Sequence, residues 1–348
     1  MTDLRTRIVE AIRANGPMPV SLYMLMCLHD PRDGYYATRP GFNQDFTTAP
    51  ETSQVFGELA GLWAAHEWMK LGAPPKFWLI ELGPGRGTMM ADLLRAAHSV
   101  KGFAEAAQIA LIEASPALRD QQKHLLSRYT IQHFDELDSV PPGPSIIVAN
   151  EFLDCLAVRQ YARDGNGWRE RQVGLDKDGN LAIGIGPPAD LPEDVIPVGD
   201  HVEVAPALGT MISSVATRFR QHPGRALFLD YGPDDRSPDE TLRAYKAGEQ
   251  INPLAEPGAS DLTADVDFPR MRRISESEGL AVHGPIQQRY FLTRLGAKER
   301  AEQLIAANPR RAEEIARAVD KLVSPEQMGA RFKAIALTPY GADTPPGF

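Results

Sequence analysis

The stretch Phe77–Thr88 reads FWLIELGPGRGT. Its first residues form a short apolar run, the pattern of a strand buried on both faces. Glu81 and Leu82 then lead into three glycines at every second position, Gly83, Gly85 and Gly87. A run with helical spacing of apolar residues follows over 88–98. A strand that ends in a glycine-rich turn and feeds a helix brings backbone N–H groups to the carboxyl edge of a sheet, where ligands bind. Glycine is needed where φ is positive or where a ligand must touch the backbone. One glycine could mark an ordinary tight turn; three between a strand and a helix point to a ligand.

The spacing narrows the ligand. A dinucleotide fingerprint wants glycine where Thr88 stands, and a phosphate-binding loop wants Lys-Ser/Thr after its last glycine; neither is present. Glu81, just before the turn, would repel a diphosphate and attract a cation. S-adenosylmethionine carries a sulfonium and an ammonium and no phosphate. Glu81, Gly83, Gly85, Gly87 and Thr88 are therefore expected to hold it.

Outward from this turn, apolar runs at 77–82, 108–113, 129–133, 145–150, 226–232, 279–284 and 332–337 are expected as strands. Helical patterns at 88–98, 116–128 and 207–221 separate several of them. That alternation predicts an α/β fold, a doubly wound, mostly parallel seven-stranded sheet. The second strand ends in Glu113, placed to accept hydrogen bonds from ribose hydroxyls or to cap the helix that starts near Ser115-Pro116. The fourth ends in VANEFLD (148–154), with Asn150, Glu151 and Asp154, and the fifth in Asp230. Helices are expected at 2–15 and 51–71, with a loop-rich stretch over 18–50. Residues 1–75 are thus read as an N-terminal cap and 76–348 as the core. Insertions interrupt that core at 157–205, with hairpin turns at Asp164-Gly165 and Asp178-Gly179, and at 233–270.

A net charge of −9 over 348 residues argues against a nucleic-acid partner and would suit a basic one. Ten acidic residues against four basic ones fall within 230–270, including Asp261, Asp265 and Asp267. They suggest a surface for a basic peptide, or simply a solvated loop. With only Cys27 and Cys155, no disulfide framework and no cysteine-built zinc site are expected, which fits a reducing compartment. The apolar run Val20–Leu28 is too short to cross a bilayer. No signal or transit peptide is recognised, and a cytoplasmic location is expected.

Several segments together resemble the MidA-like family: DFTTAPETSQVFGELAGLW, ELGPGRGTMMADLLR, IEASPALRDQQ, ANEFLDCLAVRQY, LFLDYG, GASDLTADVDF and FLTRLGAKER. The similarity covers nearly the whole chain. Leu153 stands where the family pattern has phenylalanine. The resemblance implies a class I (Rossmann-like) methyltransferase that uses S-adenosylmethionine, a bacterial relative of a mitochondrial assembly factor of respiratory complex I. It implies symmetric dimethylation of an arginine in the large quinone-site (49-kDa-type) subunit. On that reading Asn150 serves the cofactor, while Glu151, Asp154 and Asp230 grip a guanidinium and take up its proton. No metal is implied. A small-molecule acceptor, a non-catalytic assembly factor and, disfavoured by Glu81 and Thr88, an NAD-linked oxidoreductase are the alternatives.

Overall fold

The computed structural model describes residues 3–38, 47–235 and 240–348. Its contacts divide the chain into two compact units. One comprises Thr47–Phe152, Met211–Gly232 and Ser275–Phe348; the other comprises Met1–Phe46, Leu153–Thr210 and Pro233–Ile274.

A seven-stranded sheet forms the centre of the first unit. Its strands are β1 (Phe77–Leu82), β2 (Ala107–Ile112), β3 (Ile131–Phe134), β4 (Ser145–Asn150), β5 (Gly224–Tyr231), β6 (Leu280–Gln287) and β7 (Phe332–Pro339). The spatial order is β6-β7-β5-β4-β1-β2-β3. Strands β1 to β5 pair in parallel, and β7 runs antiparallel between β5 and β6. Every residue of β1, β4 and β5 is buried, so these strands read as near-continuous apolar runs, with polar residues toward their ends, rather than as alternating ones. The chain begins in the middle at β1, moves outward to β2 and β3, and returns to β4 on the other side of β1. That reversal opens a crevice at the carboxyl ends of β1 and β4. The doubly wound α/β class expected from sequence is the one observed.

The helix expected over 51–71 is two helices, α1 (Ala49–Thr52) and α2 (Gln54–Lys70). Ser53 separates them: its backbone is extended, at φ −155°, and its hydroxyl accepts the Val55 N–H at 3.3 Å. Helix α3 (Thr88–Ala97) packs on α2 at backbone range. A Cβ on Gly61 would lie 2.4 Å from the Leu93 carbonyl oxygen, and one on Gly57 would lie 2.6 Å from Asp92 Cβ. Buried Glu58 of α2 accepts two hydrogen bonds from Arg300, Nε at 2.8 Å and Nη2 at 3.0 Å. These contacts make 54–70 part of the sheet unit, a departure from the cap boundary drawn at 75.

The other unit contains the helices Leu4–Asn15 and Val20–His29 and two small sheets. Asp3 caps the first helix by accepting the Thr6 N–H at 2.8 Å. The strands Arg159–Asp164, Gly167–Leu175 and Leu181–Pro188 form the two hairpins expected between 157 and 205. Arg243–Lys246 pairs with Glu249–Ile251 and with Asp261–Thr263. The loop-rich expectation for 18–50 is corrected at Val20–His29. Val20, Tyr23, Met24, Cys27 and Leu28 are all fully buried on one face, while the apolar Leu22 and Leu25 are exposed; apolar residues on both faces hide the amphipathic period in the sequence. Residues 39–46 of that stretch lie outside the described residues. Leu4, Ile8, Met24, Val173 and Leu262 share one apolar core, so the N-terminal segment and the two insertions fold together rather than as a cap and two appendages.

The α2–α3 packing yields a test. Helix propensity alone favours Gly61→Ala by about 1 kcal/mol, but the added methyl would collide with the Leu93 backbone. The substitution should destabilise the protein by about 1–3 kcal/mol, read as a lower midpoint in urea at unchanged slope. A stabilised variant would mean that the two helices separate at little cost.

Candidate functional site

The carboxyl edge of the sheet gathers nearly all of the residues singled out in the sequence. Glu81 lies one residue before the end of β1, opposite Leu111 of β2 and Val148 of β4. Only 2% of it is exposed, and its Oε2 has no hydrogen-bond partner among the described residues. Burial pushes its pKa well above the usual carboxylate range; the neighbouring Glu113 carboxylate adds to this, and the Met90 N–H partly offsets it. An unpartnered carboxylate oxygen in this position is the complement of a buried cationic group.

The glycine turn follows. Gly83, Gly85 and Gly87 have φ of +61°, +53° and +87°, a region open to glycine and costly for other residues. Gly83 is constrained twice, because a Cβ there would lie 2.8 Å from Phe152 Cδ2. Its N–H donates to Ile112 O at 3.0 Å, extending the β1–β2 ladder into the turn. Gly87 then starts α3. The Thr88 hydroxyl donates to Glu51 Oε1 at 2.5 Å, and Arg86 Nη1 lies 3.6 Å from Glu51 Oε2. In this structure Thr88 therefore ties the turn to α1.

Glu113 sits just beyond β2 and is 9% exposed. Its Oε1 accepts the Ser115 N–H at 2.8 Å, and its Oε2 accepts from Gln122 Nε2 at a longer 3.3 Å. Burial raises its pKa, against the effect of these donors. The cap of α4 (Pro116–Leu125) is Ser115, whose hydroxyl accepts the Leu118 N–H. Glu113 braces that cap without replacing it. Gln122, fully buried on α4, also donates to Gly85 O at 2.6 Å. Sequence reasoning passed over this residue. A signal existed, for Gln122 shares a helical face with Leu118 and Leu126, and a polar side chain on an apolar stripe needs partners.

At the tip of β4, Asn150 is 8% exposed; its Nδ2 donates to Glu151 Oε1 at 2.9 Å, and its Oδ1 has no partner among the described residues. Glu151 adopts φ +49°, a left-handed conformation rare outside glycine. Its N–H donates to Leu229 O, and its Oε1 accepts the Ala49 N–H at 3.0 Å. Asp230 at the tip of β5 is 1% exposed. Its Oδ1 accepts the Tyr231 N–H at 2.9 Å and its Oδ2 the Phe152 N–H at 3.1 Å. Both oxygens thus fix backbone, which sets Asp230 apart from a carboxylate poised to grip a substrate.

Asp154 belongs to the other unit, where it is buried and its carbonyl accepts the Ala264 N–H. Near it Tyr36 donates its hydroxyl to Asp261 Oδ1 at 3.1 Å. Burial pushes the phenol pKa well up, and the charges of Asp261, Cys155 and Asp154 act in the same direction. Asp261 is buried, and Asp267 accepts the Arg270 N–H at 2.8 Å. The acidic run is therefore partly built into the fold, unlike a fully solvated loop. No helix among the described residues is long and apolar enough to cross a membrane.

Glu81 carries a pH signature. Its folded-state pKa is raised, so its contribution to stability is largest below the ordinary value of 4.5 and declines as pH rises from there toward the folded value. Without ligand, Glu81→Gln should raise the melting temperature near pH 8 by roughly 2–4 °C, with the difference shrinking toward about pH 4.5. Calorimetry across pH checks this. A lowered melting temperature at alkaline pH would show that the apo protein already supplies Glu81 with a counter-charge.

Comparison with known proteins agrees with this geometry. The Methyltransf_28 family, described as "Putative S-adenosyl-L-methionine-dependent methyltransferase", matches residues 59–286. Protein arginine methyltransferase NDUFAF7, mitochondrial, from Rattus norvegicus is 35% identical, covering 98% of this chain and 85% of the relative. The Drosophila melanogaster homolog is 37% identical, covering 97% and 85%. A crystal structure from Burkholderia thailandensis bound to S-adenosyl-homocysteine superposes with a TM-score of 0.84 at 25% identity, over 99% of this chain and 93% of that one. The orphaned Glu81 and Asn150 oxygens and the left-handed glycine turn suit a cationic, phosphate-free nucleoside ligand. The chain belongs to the Methyltransf_28 family and is an S-adenosylmethionine-dependent methyltransferase.

Proposed function

We propose that this methyltransferase modifies an arginine side chain of a protein, and that its acceptor is the large quinone-site (49-kDa-type) subunit of respiratory complex I. The observation that carries the acceptor class is near-full-length identity of about one third to relatives named protein arginine methyltransferases. The complex I subunit and the support of its assembly rest on the MidA-like resemblance.

The cofactor supplies a methyl group already activated by its sulfonium. Glu81 and the Asn150 carbonyl are assigned to its cationic amino-acid end, since both keep an unpartnered buried acceptor. Gly83, Gly85 and Gly87 let it approach the backbone. Thr88 holds that turn through Glu51. Glu113 Oε2, which accepts a long hydrogen bond from Gln122, is assigned to the ribose hydroxyls.

An arginine guanidinium is a poor nucleophile because its lone pairs are delocalised and its pKa lies above about 12. A carboxylate that grips two of its nitrogens biases the charge toward them and frees the third to attack. Glu151 is the candidate for this grip, its strained backbone held at the strand tip by Leu229 and Ala49. Asp154, three residues further along the chain, is the candidate second carboxylate and proton acceptor. Asp230 acts by positioning: its two backbone hydrogen bonds set the exit of the chain from β4.

Two measurements test this. Incubation with labelled S-adenosylmethionine and a lysate from cells lacking the gene should label one protein at an arginine, mapped by mass spectrometry. Label confined to small molecules would overturn the protein acceptor. Glu151→Gln and Asp154→Asn should each cut methyl transfer by roughly tenfold to a thousandfold while cofactor affinity stays nearly constant. Asp230→Asn should instead lower thermal stability together with turnover. Wild-type turnover in both Glu151→Gln and Asp154→Asn would remove the guanidinium grip and favour a small-molecule acceptor.

A further inference from the structure

We propose that Gln122 is a positioning residue that locks the two halves of the cofactor site, the glycine turn and Glu113, into one spacing. The inference rests on assigning the cofactor to those two elements. Gln122 is fully buried, and each polar atom of its amide faces a partner. Nε2 donates to Gly85 O at 2.6 Å and to Glu113 Oε2 at 3.3 Å, and Oε1 lies 2.7 Å from His133 Nε2.

The orientation of the amide follows from this set. Gly85 O and Glu113 Oε2 only accept, so the face turned to them must be the NH₂ group. The carbonyl then faces His133, which meets it with a protonated Nε2. That requirement is satisfied by one neutral tautomer and by the imidazolium alike. Burial, with Arg119 and Lys123 nearby, depresses the His133 pKa, so the neutral Nε2–H form is the one present near neutral pH. His133 lies on β3, Glu113 follows β2, Gly85 follows β1, and Gln122 lies on α4. One amide thus cross-links the ends of successive strands.

The chemistry gives the link a purpose. The Gly85 carbonyl sits in a turn whose left-handed backbone has several ways to relax, and a donor on that carbonyl selects one of them. Glu113 is anchored on Oε1 by Ser115; the longer contact from Gln122 aims Oε2 without saturating it. A Cβ on Gly87 would lie 3.4 Å from Gln122 Cγ, so the side chain also packs beneath the turn it bonds.

Calorimetric titration of the full chain with S-adenosyl-homocysteine tests the proposal. Gln122→Met keeps volume and burial but removes both donors, and its dissociation constant should rise about tenfold to a hundredfold with little change in the Michaelis constant for the acceptor. Gln122→Glu places a carboxyl beside Glu113. Relative to wild type at each pH, it should bind worst near pH 8 and recover part of the loss near about pH 5.5, where the introduced carboxyl regains a proton to donate. Residual packing loss alone would be independent of pH. In a double-mutant cycle, Glu113→Ala and Gln122→Met should be less than additive.

A Gln122→Met variant within threefold of wild type, or strictly additive effects, would overturn the proposal. If Glu113→Ala binds weakly while Gln122→Met binds normally, the positioning role falls and the cofactor site stands. If neither variant affects binding, the assignment of the site falls and this inference falls with it. Circular dichroism and melting temperature of each apo variant separate weak binding from failure to fold.

Discussion

A carboxyl group enclosed at the end of a central parallel strand, with one oxygen lacking a donor among the described residues, is poorly stabilised in its charged form until a cation completes it. Glu81 is that group. It is enclosed because β1 lies between β2 and β4 and because α2 and α3 pack over the apolar side of the sheet. The same enclosure that raises its pKa makes any cation bound there worth more than it would be in water. The neighbouring Glu113 strengthens both effects. The apo site is therefore electrostatically incomplete, and the unit around it is the support for that incompleteness.

That support is built in part from other carboxylates that hydrogen-bond within the protein. Asp230 fixes the backbone of Phe152 and Tyr231, and Phe152 packs beneath Gly83. Glu151 holds the start of α1, while Glu51 of α1 holds Thr88 and lies near Arg86 in the glycine turn. The turn after β1 is thus tied to the tips of β4 and β5 through short, directional bonds. Further from the crevice, buried Glu58 with partly exposed Arg300 and the fully enclosed pair Glu67 with Arg225 anchor α2. Such pairs add little net stability when compared with apolar replacements, but losing one partner is costly. Their geometry fixes where α2 can lie, and α2 carries the glycines on which α3 rests.

Much of this was legible in the sequence. Unbroken apolar runs alternating with helical patterns determine the doubly wound sheet, because strands covered on both faces need continuous apolar residues. The three glycines and Glu81 between Phe77 and Thr88 determine the turn and the acidic group beside it, because both are local properties: a left-handed backbone and a carboxylate at a known offset from a strand. The hairpins after residue 157 were legible for the same reason. The helix Val20–His29 was not, since its exposed face also carries leucines, Leu22 and Leu25, which mask the period that would reveal it. Nor was the grouping of the N-terminal segment with the two insertions, which depends on apolar contacts between residues such as Leu4, Val173 and Leu262.

The roles of the individual carboxylates lay furthest from what the sequence alone determined. Glu81, Glu113, Glu151, Asp154 and Asp230 were all recognised from their places at strand ends. What each of them bonds was decided by the fold: Ala49 for Glu151 and Phe152 for Asp230, both far along the chain, and Gln122, nine residues on, for Glu113. A side chain's position along its own strand follows from local pattern. Its hydrogen-bond partners follow from the approach of other strands and helices within about 3 Å, and only the tertiary structure sets that distance.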